Sequence, residues 1–166
     1  MTEPNVYKNP KPGQALITTI SAGCKTPELE VKYCNIVNAF YYPNSPTIPR
    51  YSVTCILDPE HNADFLNGLQ TIEKNEKVDS IIKNETRKEG TKHITTGNVQ
   101  IKFQSKDQIP VYILKNGVPE PITLEDDLAP GEKISVVFDI LRYTKKNTMN
   151  TEHGISYKPS CIYYYP

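Results

Sequence analysis

The sequence predicts a mainly β protein with one helix after its third strand and a β-hairpin at its C-terminal end. Three observations carry that prediction. Eleven tyrosines and fourteen prolines, with many threonines, valines and isoleucines, favour strands separated by turns over a helical bundle. Apolar residues alternate with polar ones in most segments, and only the stretch after Asp58 changes to helical spacing. Prolines and glycines punctuate the chain between these segments. The 166 residues suit one domain over 14–166, preceded by a flexible arm over 1–13 that carries Pro4, Pro10 and Pro12. No apolar run approaches the ~20 residues that cross a bilayer, and the arm lacks a signal peptide's hydrophobic stretch. Neither membrane insertion nor secretion is expected.

Gln14 to Ile20 reads as the first strand, closed by Gly23 and Pro27. Leu29 to Tyr42 is a longer second strand with two mixed faces. Tyr33 and Tyr41 fall on one, Phe40 and Tyr42 on the other, and a bulge would swap them midway. Residues 43–46 form a proline-rich turn. The third strand runs from Arg50 to Asp58, fenced by Pro49 and Pro59, with Tyr51, Val53, Cys55 and Leu57 inward and Ser52 and Thr54 outward. A helix follows from about Pro59 to Lys74, with Asp58 as its N-cap and Phe65, Leu66, Leu69 and Ile72 on one side. Val78, Ile81 and Ile82 extend the helical pattern, and residues 83–92 read as a solvated connection ended by Gly90. Val99, Ile101 and Phe103 mark another half-buried strand, and Pro110 to Leu114 a short one ending in the turn Lys115-Asn116-Gly117. Residues 120–132 form an acidic loop. Lys133 to Tyr143 is a strand apolar on both sides, and after a polar turn over 145–154 the last strand, Ile155 to Tyr165, pairs with it as a hairpin. Three strands, a helix and further strands are what a five-stranded Greek-key barrel of the OB type requires, although other α+β sandwiches satisfy the same order.

Formal net charge is zero, which excludes a large uniform basic field as the source of function. Cys24, Cys34, Cys55 and Cys161 are spread without a C-x-x-C pair and read as reduced thiols. His61, His93 and His153 are scattered. Walker, dinucleotide and G-x-S-x-G motifs are missing, so neither an enzyme nor a cofactor is expected.

Arg50-Tyr51-Ser52-Val53-Thr54, followed by Ile56-Leu57-Asp58-Pro59 and a helix, resembles the K-Y-S-V-T-L-L-x-P segment of phage single-stranded DNA-binding proteins, as used by short-tailed phages and their relatives. Asp126-Asp127-Leu128-Ala129-Pro130-Gly131 resembles the acidic approach of that family to its fifth strand. His153-Gly154-Ile155-Ser156 resembles the motif that opens its final strand. The resemblance implies an OB fold that coats single-stranded DNA in phage replication and recombination, in the host cytoplasm, alongside replication proteins. Such proteins commonly recruit those partners with an acidic tail, whereas this sequence ends at Tyr163-Tyr164-Tyr165-Pro166, so recruitment by a tail is not expected.

Single-stranded DNA is held by cations along its phosphates and by aromatic rings on which bases stack, each stacked base contributing ~1–3 kcal/mol. On an OB fold the binding surface is the outer face of the second and third strands and the loops at their ends. That assigns Arg50, Ser52 and Thr54 to DNA, with Tyr33 and Tyr41 as the aromatic set and Phe40 with Tyr42 as the alternative. Arg142, Lys145, Lys146 and Lys158 bring a local excess of positive charge to the last hairpin, where Tyr143 or Tyr157 would stack; Lys102 and Lys92 flank the groove. Two rival functions stay open. The exposed tyrosines and the Tyr163–Tyr165 run would suit a protein interface or a homodimer, and Glu125, Asp126 and Asp127 would suit a metal-dependent nuclease.

Overall fold

The computed structural model describes the backbone of residues 15–146 and 151–166 and the side chains of 17–144 and 153–166; the expected N-terminal arm lies outside the described residues. These contain nine strands and one helix in the order β1 (Ala15–Lys25), β2 (Leu29–Tyr42), β3 (Ser45–Leu57), α1 (Ala63–Glu76), β4 (Lys83–Glu89), β5 (Lys92–Ser105), β6 (Val111–Lys115), β7 (Val118–Ile122), β8 (Lys133–Lys146) and β9 (Thr151–Tyr165). All nine join one sheet, ordered β4-β5-β3-β2-β8-β9-β6-β7, with β1 also on β8.

β8 organises the sheet because the sequence gives it a strict inward alternation. Ile134, Val136, Phe138 and Ile140 are all buried. Its first residues pair with β2, the rest of the same edge pairs with β1, and its other edge runs along β9. Thr26 hands the chain from β1 to β2 at this edge. Its N–H donates to Val136 O and its Oγ1 accepts from Val136 N–H, both at 2.9 Å. The sheet curls until Phe103 of β5 packs on Phe138 and on Tyr157 of β9, with ring centroids 5.0 and 6.1 Å apart. Val53, Cys55 and Leu57 of β3 close the same core, as their spacing predicts.

Helix α1 begins later than expected. The Asp58 carboxylate accepts from Glu60 N–H at 2.9 Å and pairs with His61 Nδ1 at 2.8 Å, which makes 59–62 a turn. Lys77, at φ 57°, then ends the helix, so Val78, Ile81 and Ile82 pack on the core from a loop. The inward face of α1 carries Leu66, Leu69 and the buried Glu73. Glu73 accepts from Ser80 Oγ at 2.6 Å, Ile81 N–H at 3.1 Å and the Tyr157 hydroxyl at 3.1 Å, so three donors compensate its burial.

Other strand limits also differ from expectation. β3 passes through Pro46 and Pro49 to start at Ser45, because residues 45–50 have β2 on one side and no registered partner on the other, an edge on which proline is tolerated. Residues 83–89 are a strand: they form a hairpin with β5 through a turn at Gly90, and inward-facing Glu85 finds partners there. The first part of the acidic stretch is β7, which pairs with β6 across the predicted turn, with Asn116 and Gly117 at φ 52° and 77°. The final hairpin is longer than its apolar pattern, reaching Lys146 on one strand and starting at Thr151 on the other.

Candidate nucleic-acid interface

β2 carries the site because its pairing with β3 is interrupted three times, the last time between Phe40 and Tyr42. From Val31 to Tyr33 it advances two residues while β3 advances one, from Cys55 to Thr54. Val31 is therefore fully buried while Tyr33, which the alternation would put beside it, is 61% exposed on the outer face. A second irregularity between Asn35 and Phe40 brings Phe40 opposite Arg50 on that same face. Asp127 fixes this second break. Its Oδ1 accepts from Ile36 N–H at 2.7 Å and Val37 N–H at 2.6 Å, and its Oδ2 from Asn38 N–H at 3.3 Å and Nδ2 at 3.0 Å. One carboxylate thus satisfies backbone donors at the break. Asn38 Nδ2 also donates to Asp126 Oδ1 at 3.0 Å.

The register orders the outer face into rows: Phe40 with Arg50, then Asn35 with Ser52 and Gln104, then Tyr33 with Thr54 and Lys102, then Glu30 with Ile56 and Gln100. The long side chains gather above the short ones. Phe40 and Tyr42 meet edge to face, centroids 5.3 Å apart. Lys102 Nζ lies 5.1 Å from the Phe40 ring and the Arg50 guanidinium 5.5 Å from the Tyr42 ring, both within cation–π range. The Tyr42 hydroxyl pairs with the Gln104 amide. Neither Arg50 nor Lys102 has a carboxylate partner among the described residues. Arg50 Nε is buried and finds no hydrogen-bond acceptor among them.

The expected site residues divide accordingly. Phe40, Arg50 and Lys102 come together with Tyr42, and Tyr33 stands two rows along the same face, where Lys32 Nζ lies 5.5 Å from its ring; residues of both aromatic alternatives share the face because β2 shifts parity between them. Ser52 and Thr54 lie in the expected rows, yet each is only 6% exposed, which corrects their assignment to direct contact. They are short and lie between longer neighbours on β2 and β5. Tyr41 is exposed, but none of the described ring or cation contacts of the cluster includes it.

The last hairpin offers less than its charges suggest. Arg142 lies within β8 and forks onto the Glu76 carboxylate at the end of α1, with Nη2 2.9 Å from Oε2. That hydrogen bond holds Glu76 below the usual carboxylate range and raises the Arg142 guanidinium. Lys158 is 3.5 Å from Asp107. Tyr157 is 1% exposed and belongs to the core, a correction to its stacking role. Burial first, and then the Glu73 carboxylate, raise its phenol pKa. Tyr143 faces Gly154 across the hairpin so closely that a Cβ there would collide with its ring. The side chains of Lys145 and Lys146 lie outside the described residues.

The rival sites are occupied by structural work. Asp127 holds β2, and among the described residues no three metal-ligating side chains gather. Of the terminal tyrosines, Tyr164 donates to Glu132, Tyr165 to Ser135 Oγ at 3.1 Å, and Tyr163 lies under Lys25.

Sequence reasoning missed two features. Asp127 falls in the expected acidic loop, and the only signal for its structural role is the mixed second strand, which needs acceptors wherever it leaves the ladder. The second is Glu85, buried against Lys32 Nζ at 3.2 Å and Thr96 Oγ1 at 2.8 Å. Burial alone would raise its pKa, but hydrogen bonds from Thr96 and Lys32 and the charges of Lys32 and Arg87 outweigh that and leave it lowered.

No protein-family model and no curated protein matches the sequence. Solved structures do match. The single-stranded DNA-binding protein from bacteriophage Enc34 in complex with ssDNA superposes at a TM-score of 0.60 with 16% identity, over 85% of this chain and 84% of that one. A C-terminally truncated form of the Enc34 protein gives 0.59 with 14% identity, over 84% and 83%. The resemblance carried by the sequence motifs thus extends to the fold: the chain folds like a phage single-stranded DNA-binding protein over most of its length.

Proposed function

We propose that the chain binds single-stranded DNA without sequence preference on the outer face of β2, β3 and β5. The observation that carries this reading is the joint placement of Tyr33, Phe40 and Tyr42 with two cations, Arg50 and Lys102, that have no carboxylate partner among the described residues. Bases stack on the rings, phosphates are neutralised by the cations, and no base edge is read. The likeness in fold to a protein seen with ssDNA supports the same ligand. In this reading the sheet is an OB-type Greek-key barrel forming one domain over residues 14–166. The protein coats DNA during phage replication and recombination in the host cytoplasm, without catalysis and alongside replication proteins.

A fluorescence titration with single- and double-stranded oligonucleotides of equal length tests it. Saturable quenching by the single strand is expected, much weaker with duplex, with a salt slope of about 0.7 per neutralised phosphate. Equal affinity for both, or none for either, overturns the reading.

A further inference from the structure

The outer face does not stop at Tyr33. Beyond its row lies that of Glu30, Ile56 and Gln100, and there β4, the first bulge of β2 and the turn at Pro130 and Gly131 line an open cleft of about 470 Å³. That volume lies within the ~300–1,000 Å³ usual for small-ligand sites. Tyr33 forms one wall of the cleft and also stands in the Lys102 row of the open face. Thr86, Arg87 and Lys88 line the cleft as well.

The charges in the cleft are not equivalent. Glu85 is buried and internally compensated by Lys32, whose Nζ also donates to Thr86 O at 2.8 Å. Glu30 is 3.8 Å from Lys133 Nζ. Arg87 is only loosely held, its Nε 3.8 Å from Glu85 on a side chain 63% exposed, and Lys88 has no carboxylate partner among the described residues. Arg87 and Lys88 therefore line the same cleft as an exposed ring that Lys32 Nζ flanks at 5.5 Å from its centroid.

From these features we infer that the cleft is a nucleotide subsite, taking one unpaired base against Tyr33 and its phosphate on Arg87 and Lys88, at one end of the strand's path. The inference rests on the proposed DNA-binding face. From Arg50 to Ile56 the face spans about 20 Å at ~3.3 Å per residue, so the cleft continues one track.

The test uses the full chain and a set of oligothymidylates, each carrying one 4-thiothymidine at a different position, photocrosslinked and mapped by mass spectrometry. Positions near one end should crosslink to Tyr33 or to residues 85–88, and interior positions to Phe40 or Tyr42. Crosslinks confined to Phe40, Tyr42 and their neighbours overturn the subsite while leaving the DNA-binding face intact. If the protein captures no oligonucleotide, both fall.

A second measurement separates a subsite from a diffuse field. Arg87→Ala with Lys88→Ala should lower the salt slope by roughly 0.7, the share of the one phosphate they hold, for an oligonucleotide that fills face and cleft. The shortest oligonucleotide that binds should lose less than about twofold in affinity. Equal losses at both lengths make these cations a general field and overturn the inference.

Discussion

Arg50 and Arg142 both sit in strands beside aromatic residues, and in the sequence they contribute alike to a basic count. The structure separates them. Arg50 lies over the Tyr42 ring with its Nε buried and without an acceptor among the described residues. Arg142 is forked onto Glu76, 66 residues away in the chain. Lys102 and Lys158 repeat the contrast, one above Phe40 and the other paired with Asp107. Charge available for a ligand is thus charge left over after folding, and a distant element decides the remainder. An arginine whose donors are already accepted must give up that pairing before it can bind phosphate.

The sharpest way to break this contrast is to remove both unpaired cations. Arg50→Ala with Lys102→Ala should weaken single-stranded DNA binding by about 100-fold and lower the salt slope by roughly 1.4, since two phosphate contacts and their support of the rings are lost. Anisotropy titrations at several salt concentrations measure both. An unchanged slope would place the phosphates elsewhere.

The next effect tests how the face is built. Asp127→Ala leaves the Ile36, Val37 and Asn38 N–H groups without their acceptor and should cost about 1–3 kcal/mol of stability. It should also weaken DNA binding about tenfold by releasing Phe40. In a Phe40→Ala background the additional loss in affinity should shrink to about twofold, because the two substitutions act through one ring. Full additivity in this cycle would mean that Asp127 acts on stability alone.

These residues also mark what the sequence could and could not reveal. The alternation at Val53, Cys55 and Leu57, and again from Ile134 to Ile140, reports a period-two burial that needs no knowledge of partners. So seven of the nine strands among the described residues, the single helix and the final hairpin were legible, while β4 and β7 read as a connection and part of an acidic loop. Ser52 and Thr54 show the first limit: parity places them on the outer face, but exposure depends on the length of the neighbours that registration brings beside them. Tyr33 and Phe40 show the second. They share a face only because β2 breaks between them, and that break is held by Asp127, nearly ninety residues downstream of it. Residues 83–89 show the third, since a charged segment becomes a strand once Glu85 is satisfied by Lys32 and Thr96.

The smallest effect is expected at the paired arginine, and it sharpens the contrast by showing where that charge acts. Glu76 is held below the usual carboxylate range, chiefly by the hydrogen bond from Arg142. A carboxyl whose pKa is lowered by folding adds stability above its unfolded pKa, and that stability is lost as pH falls through the folded value. Both side chains retain solvent contact, 44% for Arg142 and 18% for Glu76, so the increment should be no more than about 1 kcal/mol. Thermal melts between pH 7 and pH 3 should therefore show Glu76→Gln slightly less stable than wild type at neutral pH and converging with it in acid. Over the same variants Arg142→Ala should change single-stranded DNA affinity by less than about twofold. A loss comparable to that of Arg50→Ala would mean that Arg142 leaves Glu76 for phosphate when DNA arrives, and the distinction between the two arginines would then hold only for the free protein.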